Sequence, residues 1–398
     1  MQNFNSTSAK RVNMAMAVTL LYVPLMSYID GRWGRGSFYY GTQFLYFLSF
    51  LLAVPSALRS INNKVVCFVL CFSFVLLLSY IVGTDSEVFS LSFRNICLWC
   101  APYFILSISV RNYEDMMMKF KYVSVLMLLL GLLRTFTLDF SSDTYSQDLG
   151  YDVLLPFIVY FLSFMREHRI WYLIPILVSF VLILMSGSRG PLLCAGAGAV
   201  LAYFILRGIS KNVILYLFLV LLAYIFYVTY RVEILSWVLN AFESLDVSVR
   251  SIKMLLYGEI GDDQSRTHLR MIALNYIFDH PFIGSGLLND RSYIYGQYII
   301  NKTATAYGSY CHNIFLEILM QFGLIAGIVI ISIFMERIVN RIRCSASKVE
   351  KEYIVVILTI GLFPLFISRS WITYHFFYLV LGMLLSSYNG KTSWLQSN

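Results

Sequence analysis

The chain has 398 residues, 59% of them hydrophobic and 13% charged, with a mean hydropathy of +0.70. A soluble domain carries about 45–50% apolar and about 25% charged residues, so a soluble globular enzyme, a disordered chain and a disulfide scaffold are all excluded. The net charge of +8 comes without any basic run interleaved with aromatics, so it reads as loop charge of a membrane protein and not as a nucleic-acid surface.

In chain order the apolar runs are 12–29, 38–58, 65–83, 95–110, 122–138, 152–165, 170–186, 190–206, 212–230, 313–335, 353–369 and 371–388. About 20 apolar residues cross a bilayer as a helix. The first run follows MQNFNSTSAKR without a small-residue cleavage site and is read as a retained span. The runs at 95–110 and 152–165 are short, which predicts a tilt or an irregular end. Continuous runs exclude a barrel, and lipid offers the backbone no partners, so each span must be helical. The expected fold is an all-α polytopic bundle of about twelve transmembrane helices. It divides into 1–230 with spans one to nine, a long loop over 231–311, and 312–398 with spans ten to twelve.

Threading these spans with the N-terminus inside puts Lys10, Arg11, Arg59, Lys64, Arg111, Lys119, Lys121, Arg166, Arg169, Arg207, Lys211, Arg337, Arg341, Arg343, Lys348, Lys351 and Lys391 on the inner side. Few acids accompany them, which is the positive-inside pattern and places both termini in the cytoplasm. The opposite side selects guanidinium: eleven arginines against Lys253 and Lys302. Arginine presents a planar, always-charged fork that matches phosphate oxygens.

Five places on that outer side stand out. Arg134 and Arg369 lie near the outer ends of spans five and eleven. Arg189 sits in Ser186-Gly187-Ser188-Arg189-Gly190-Pro191, a tight turn between spans seven and eight where small residues leave the cation open to a bulky ligand. In the long loop, Gln264–His280 reads as an interfacial helix with Leu269, Ile272, Ala273 and Tyr276 at helical spacing. Arg266 and Arg270 lie one turn apart on another face, a clamp for a diphosphate or a solvated face paired to nearby acids. His312 opens span ten, where a near-neutral imidazole can take a proton from a sugar hydroxyl. Glu317, further along the same span, is costly in lipid and is expected to orient His312 or to pair with an arginine. The histidines are scattered, Cys97 and Cys100 form a lone pair in an apolar stretch, and neither a P-loop nor a dinucleotide fingerprint is present, so no metal and no cofactor is expected.

These residues resemble the shared core of the O-antigen polymerase and O-antigen ligase superfamily. The resemblance is carried by Ser186-Gly187-Ser188-Arg189-Gly190, Arg266-x-x-x-Arg270 with Ala273, His280-Pro281-Phe282-Ile283-Gly284-Ser285-Gly286, His312-Asn313 and Gln321-Phe322-Gly323-Leu324-Ile325-Ala326-Gly327, across roughly 184–335. It implies a metal-independent, inverting glycosyltransferase of the bacterial inner membrane with a periplasmic site. It also implies a glycan donor and acceptor on undecaprenyl diphosphate, with a chain-length regulator protein as a further partner. Arg189, Arg266 and Arg270 would contact the diphosphate, and His312 would serve the acceptor hydroxyl. A polymerase is the favoured member, because the Tyr- and Phe-rich, divergent sequence resembles polymerases of glycan-specific clusters. A ligase acting on lipid A–core is the first alternative and a polysaccharide flippase the second. No internal repeat of the kind common in transporters is visible.

Overall fold

The computed structural model describes residues 6–135, 146–208, 230–244, 256, 261–297 and 305–386. Among these the fold is all-α. The helices are α1 (Ser6–Trp33), α2 (Ser37–Leu58), α3 (Asn63–Val82), α4 (Ser86–Asn95), α5 (Ala101–Ser109), α6 (Tyr113–Thr135), α7 (Gln147–Asp152), α8 (Leu154–Glu167), α9 (Leu173–Met185) and α10 (Arg189–Arg207). They continue as α11 (Arg231–Glu243), α12 (Gly261–Asp279), α13 (Asn289–Gln297), α14 (Ile314–Phe322), α15 (Leu324–Arg343), α16 (Lys348–Gly361) and α17 (His375–Leu385). The ninth expected span, 212–230, lies outside the described residues apart from its last position.

The polytopic all-helical bundle is as expected. Seven helices are long and apolar enough to cross a membrane: Thr7–Trp33, Ser37–Leu58, Asn63–Val82, Ser86–Ser109, Tyr113–Thr135, Gln147–Glu167 and Arg189–Arg207. Ile170–Met185 and His375–Leu385 are shorter apolar helices. The expected tenth span is two helices, because Gly323 takes φ +78 and parts α14 from α15. The expected eleventh ends as α16 at Gly361 and goes on as a tight turn over Phe363–Phe366 that begins at the proline-containing Phe363-Pro364.

The irregularity expected at 95–110 is a π-turn, Ile96–Cys100, joining α4 to α5. Pro102 has no N–H for the carbonyl of Leu98, and the Tyr46 hydroxyl donates to that carbonyl at 3.4 Å. Tyr22, Tyr46 and Trp99 stack beside it.

Helix α16 forms the centre: every residue from Tyr353 to Gly361 is buried, as a helix apolar on all sides requires. Helices α6, α8, α10 and α17 pack around it. Helices α2 and α3 stand at the periphery and turn Phe44, Leu51, Leu70 and Phe74 outward, the surface a bilayer covers.

The two ends of the bundle differ. At one, charges pair across helices: Lys121 with Glu167 at 3.1 Å, Arg166 with Glu352 at 2.9 Å and Arg341 with Glu350 at 2.9 Å. The other end holds α7, the start of α10, the segment before α14 and the turn after α16. The described part of the long loop is docked there. Leu269, Ala273 and Ile277 of α12 are buried with Ile294 of α13, Cys311 and Met320 of α14. The expected loop helix over 264–280 is therefore present as α12, stopping before Pro281.

Candidate active site

The glycine-rich turn after α12 is shaped by the break between α14 and α15. Ser285 N–H donates to the Met320 carbonyl at 2.8 Å, Gly286 N–H to the Gln321 carbonyl at 3.0 Å, and Leu324 N–H to the Pro281 carbonyl at 2.8 Å. Two separate sequence motifs thus satisfy one another's backbone, including carbonyls that the end of α14 leaves open. A Cβ on Gly284 would stand 2.4 Å from the Gln321 carbonyl, with backbone on both sides and no side chain free to yield. Gly284→Ala is expected to cost about 1–3 kcal/mol through overpacking. The check is the thermal midpoint of the detergent-solubilised protein, and an unchanged midpoint would show that the two segments do not bear on each other.

His312 stands at the junction this clasp secures. Its backbone is left-handed, φ +54, a conformation that costs a non-glycine residue of order 1–3 kcal/mol. Asn313 follows as the N-cap of α14, its side-chain oxygen accepting from the N–H groups of Phe315 at 3.0 Å and Leu316 at 3.2 Å. The His-Asn pair is therefore one turn and one cap, aiming the imidazole away from the helix that follows. Nδ1 lies 3.1 Å from the Ser368 carbonyl and donates to it, which leaves Nε2 as the acceptor. Burial lowers the His312 pKa to about 4. The Ser368 carbonyl opposes this, and the charges of Arg266, Arg270 and Arg369 lower it further. The imidazole is neutral across the physiological range.

Ser368 gathers the site. Its carbonyl also accepts from the Tyr310 hydroxyl at 3.0 Å, and its hydroxyl meets that of Tyr151. Arg266 and Arg270 project from α12 toward this group, both half-buried, and the Nε of Arg270 is buried without a partner among the described residues. Arg189 opens α10. Gly190 beside it leaves no room for a Cβ, which would sit 2.6 Å from the Tyr151 hydroxyl and 3.3 Å from Ile367. Gly187, at φ +69, closes α9 and turns the chain. The backbone beside Arg189 thus adjoins Tyr151, at the positive end of a helix dipole.

The second-rank candidates have other partners. Arg134 pairs with Asp152 at 2.8 Å, both largely buried. Arg369 pairs with Asp148 and lies over the rings of Tyr151 and Tyr374 at 4.9 and 5.7 Å. Glu317 does not reach His312. It is wholly buried, accepts from the Ser370 hydroxyl and from the Trp371 N–H at 3.3 Å, and stands 4.0 Å from Arg291. Of the two expectations for Glu317, pairing with an arginine is the one this geometry shows.

Arg291 is a residue that sequence reasoning counted only as one loop cation. It is almost fully buried, donates to the Tyr307 carbonyl and to Ser370 Oγ at 2.7 Å, and lies over Tyr307 and Tyr310. Beside it Asp290 accepts from Gln321 at 2.9 Å. The adjacent opposite charges of Asp290-Arg291 were the available signal. Ser368 and Ser370 had none, because a carbonyl and a hydroxyl become ligands only through position. Among the described residues no three His, Cys, Asp or Glu side chains gather as a metal site needs.

A neutral imidazole held through Nδ1, with guanidinium groups around it at one end of a lipid-facing bundle, is an arrangement able to take up a proton beside an anion. Residues 174–331, from α9 to the first turns of α15, match the family model described as O-Antigen ligase. The matched segment contains Arg189, Arg266, Arg270 and His312, and it is similar to the O-antigen ligase family, which supports the resemblance to the O-antigen ligase and polymerase superfamily. No curated protein and no solved structure gives a significant match to the chain.

Proposed function

We propose that the protein is a polysaccharide polymerase of the bacterial inner membrane that works on its periplasmic side. It transfers a glycan from undecaprenyl diphosphate onto a lipid-linked repeat unit. The observation that carries this is His312, neutral and fixed through Nδ1, facing Arg266, Arg270 and Arg369. The orientation rests on the basic inner segments, which would put the ion-paired end in the cytoplasm.

In the reaction the acceptor hydroxyl attacks the anomeric carbon of the donor. The new C–O bond forms as the bond to the diphosphate breaks, and the electron pair leaves on the diphosphate oxygen. The hydroxyl proton passes to Nε2 of His312. With a pKa near 4 this nitrogen is a weak base, so the proton moves late, once bond formation has made the hydroxyl strongly acidic. Before that, Nε2 aligns the hydroxyl. Arg266 and Arg270, with Arg189 at the start of α10, hold the diphosphate and stabilise the charge it gains. A single displacement inverts the anomeric centre.

Arg266→Lys is expected to slow extension by about tenfold or more while the protein still accumulates in membranes, because an ammonium keeps the charge but not the two parallel bonds. Polymer length on a gel checks it, and normal chains would remove Arg266 from the clamp. The family description favours a second reading, a ligase that transfers the finished glycan to lipid A–core. Deleting the gene separates the two. Lipopolysaccharide with single repeats indicates a polymerase, and bare core with long glycan left on the carrier indicates a ligase. Extension by the purified chain alone would exclude a flippase.

A further inference from the structure

Beside His312 lies a cavity of about 160 Å³ whose chemistry differs from that of the arginine cluster. At about 30 Å³ per water it holds roughly five waters, or one small polar ring. Its walls are Tyr151 and Asp152 from α7, Ser27 from α1, and Tyr374 and His375 from the start of α17, with Tyr310 and Arg369 toward His312. Tyr310 forms one wall of the cavity and its ring lies 4.3 Å from that of His312, so the cavity neighbours the imidazole through that tyrosine.

Its charges cancel in pairs. Asp148 at the rim answers Arg369, and Asp152 answers Arg134 at 2.8 Å. A diphosphate entering here would meet two carboxylates and find both cations engaged. A sugar ring would find what it needs, namely aromatic faces for its C–H side and anchored carboxylates for its hydroxyls. It would also find a donor or acceptor without a partner: Nε2 of His375 is buried and unbonded among the described residues, in a ring packed between Tyr103 and Phe376 at 4.8 and 4.4 Å. A buried polar atom left unpaired costs about 1–3 kcal/mol, which a ligand hydroxyl would relieve.

We propose that this cavity is the acceptor-sugar subsite, taking the pyranose whose hydroxyl attacks, with Asp148 and His375 bonding its other hydroxyls. The proposal rests on the transferase reading above. It assigns Arg369 and Arg134 to holding the carboxylates of the sugar pocket, and leaves the diphosphate to the other side of His312.

The test uses the full chain in nanodiscs and two variants, Ser27→Trp, which fills the cavity from its wall, and Asp148→Asn, which keeps its shape. Three quantities are read: binding of undecaprenyl diphosphate, binding of the repeat-unit glycan freed from its carrier by mild acid, and extension of the lipid-linked repeat unit. Wild type is expected to bind the freed glycan, with both variants at least tenfold weaker, extension falling in step and undecaprenyl diphosphate bound as by wild type. No glycan binding by wild type, equal binding by both variants, or a matching loss of undecaprenyl diphosphate binding would overturn the subsite. Glycan binding by wild type without any transfer would instead overturn the transferase reading and leave a sugar site standing.

Discussion

Replacing His312 with alanine is expected to abolish glycan extension, by about 10²–10⁴-fold, while undecaprenyl diphosphate still binds. The imidazole is held from behind by the Ser368 carbonyl and flanked by Arg266, Arg270 and Arg369, so its loss removes the acceptor nitrogen Nε2 and leaves the cations in place. The pH profile gives an independent check. Burial and the three cations lower the pKa to about 4, so the neutral, working form persists as pH falls through the ordinary histidine range. The rate constant kcat/KM is expected to stay flat from about pH 8 to about pH 5 and to drop only on approach to pH 4. A fall centred near pH 6.5 would mean an imidazole exposed to water, and unchanged turnover in His312→Ala would remove it from the chemistry. His312→Asn separates alignment from proton transfer, since an amide can accept a hydrogen bond but cannot carry the proton.

Arg291→Ala is expected to destabilise the protein by about 3–5 kcal/mol, the cost of stripping one partner from a buried ion pair. The guanidinium links three parts of the chain: its own helix α13, the Tyr307 carbonyl, and Ser370 with Glu317. Without it Glu317 loses the cation that stands 4.0 Å away, and burial, which already pushes the Asp290 carboxyl upward, is no longer opposed by the adjacent cation. The measurement is the thermal midpoint of the solubilised protein. The double variant Arg291→Met with Glu317→Gln is expected to lose less than Arg291→Ala alone, because it removes both charges from the interior. A midpoint unaffected by Arg291→Ala would show that the long loop is held by apolar packing of α12 and α13 alone.

Much of the bundle was legible from composition. Runs of apolar residues long enough for a bilayer become helices whatever surrounds them, since lipid supplies no other partner for the backbone. The helix over 264–280 was legible for a related reason: Leu269 and Ala273 recur at the period that one buried face demands, and both are buried. Misreading came where a local backbone feature overrides hydropathy. Residues 313–335 are apolar throughout, yet Gly323 adopts a left-handed turn because the Pro281–Gly286 segment supplies the hydrogen bonds that a continuous helix would have made for itself. The extent of the family motif contained that information, but not as periodicity.

For the candidate site, residue type and order along the chain were readable and pairing was not. Arginines on one side of a lipid bundle, and a histidine at a helix start, follow from order along the chain and from what each side chain can do. Which of those cations stays open to a ligand is a matter of distance. Among the described residues Arg369, Arg134 and Arg291 are each answered by a carboxylate within 4.0 Å, whereas the charges of Arg266 and Arg270 act on His312. Electrostatic energy depends on separation and burial, and residues such as Asp148 and Arg369, 221 positions apart, acquire both only when the helices pack.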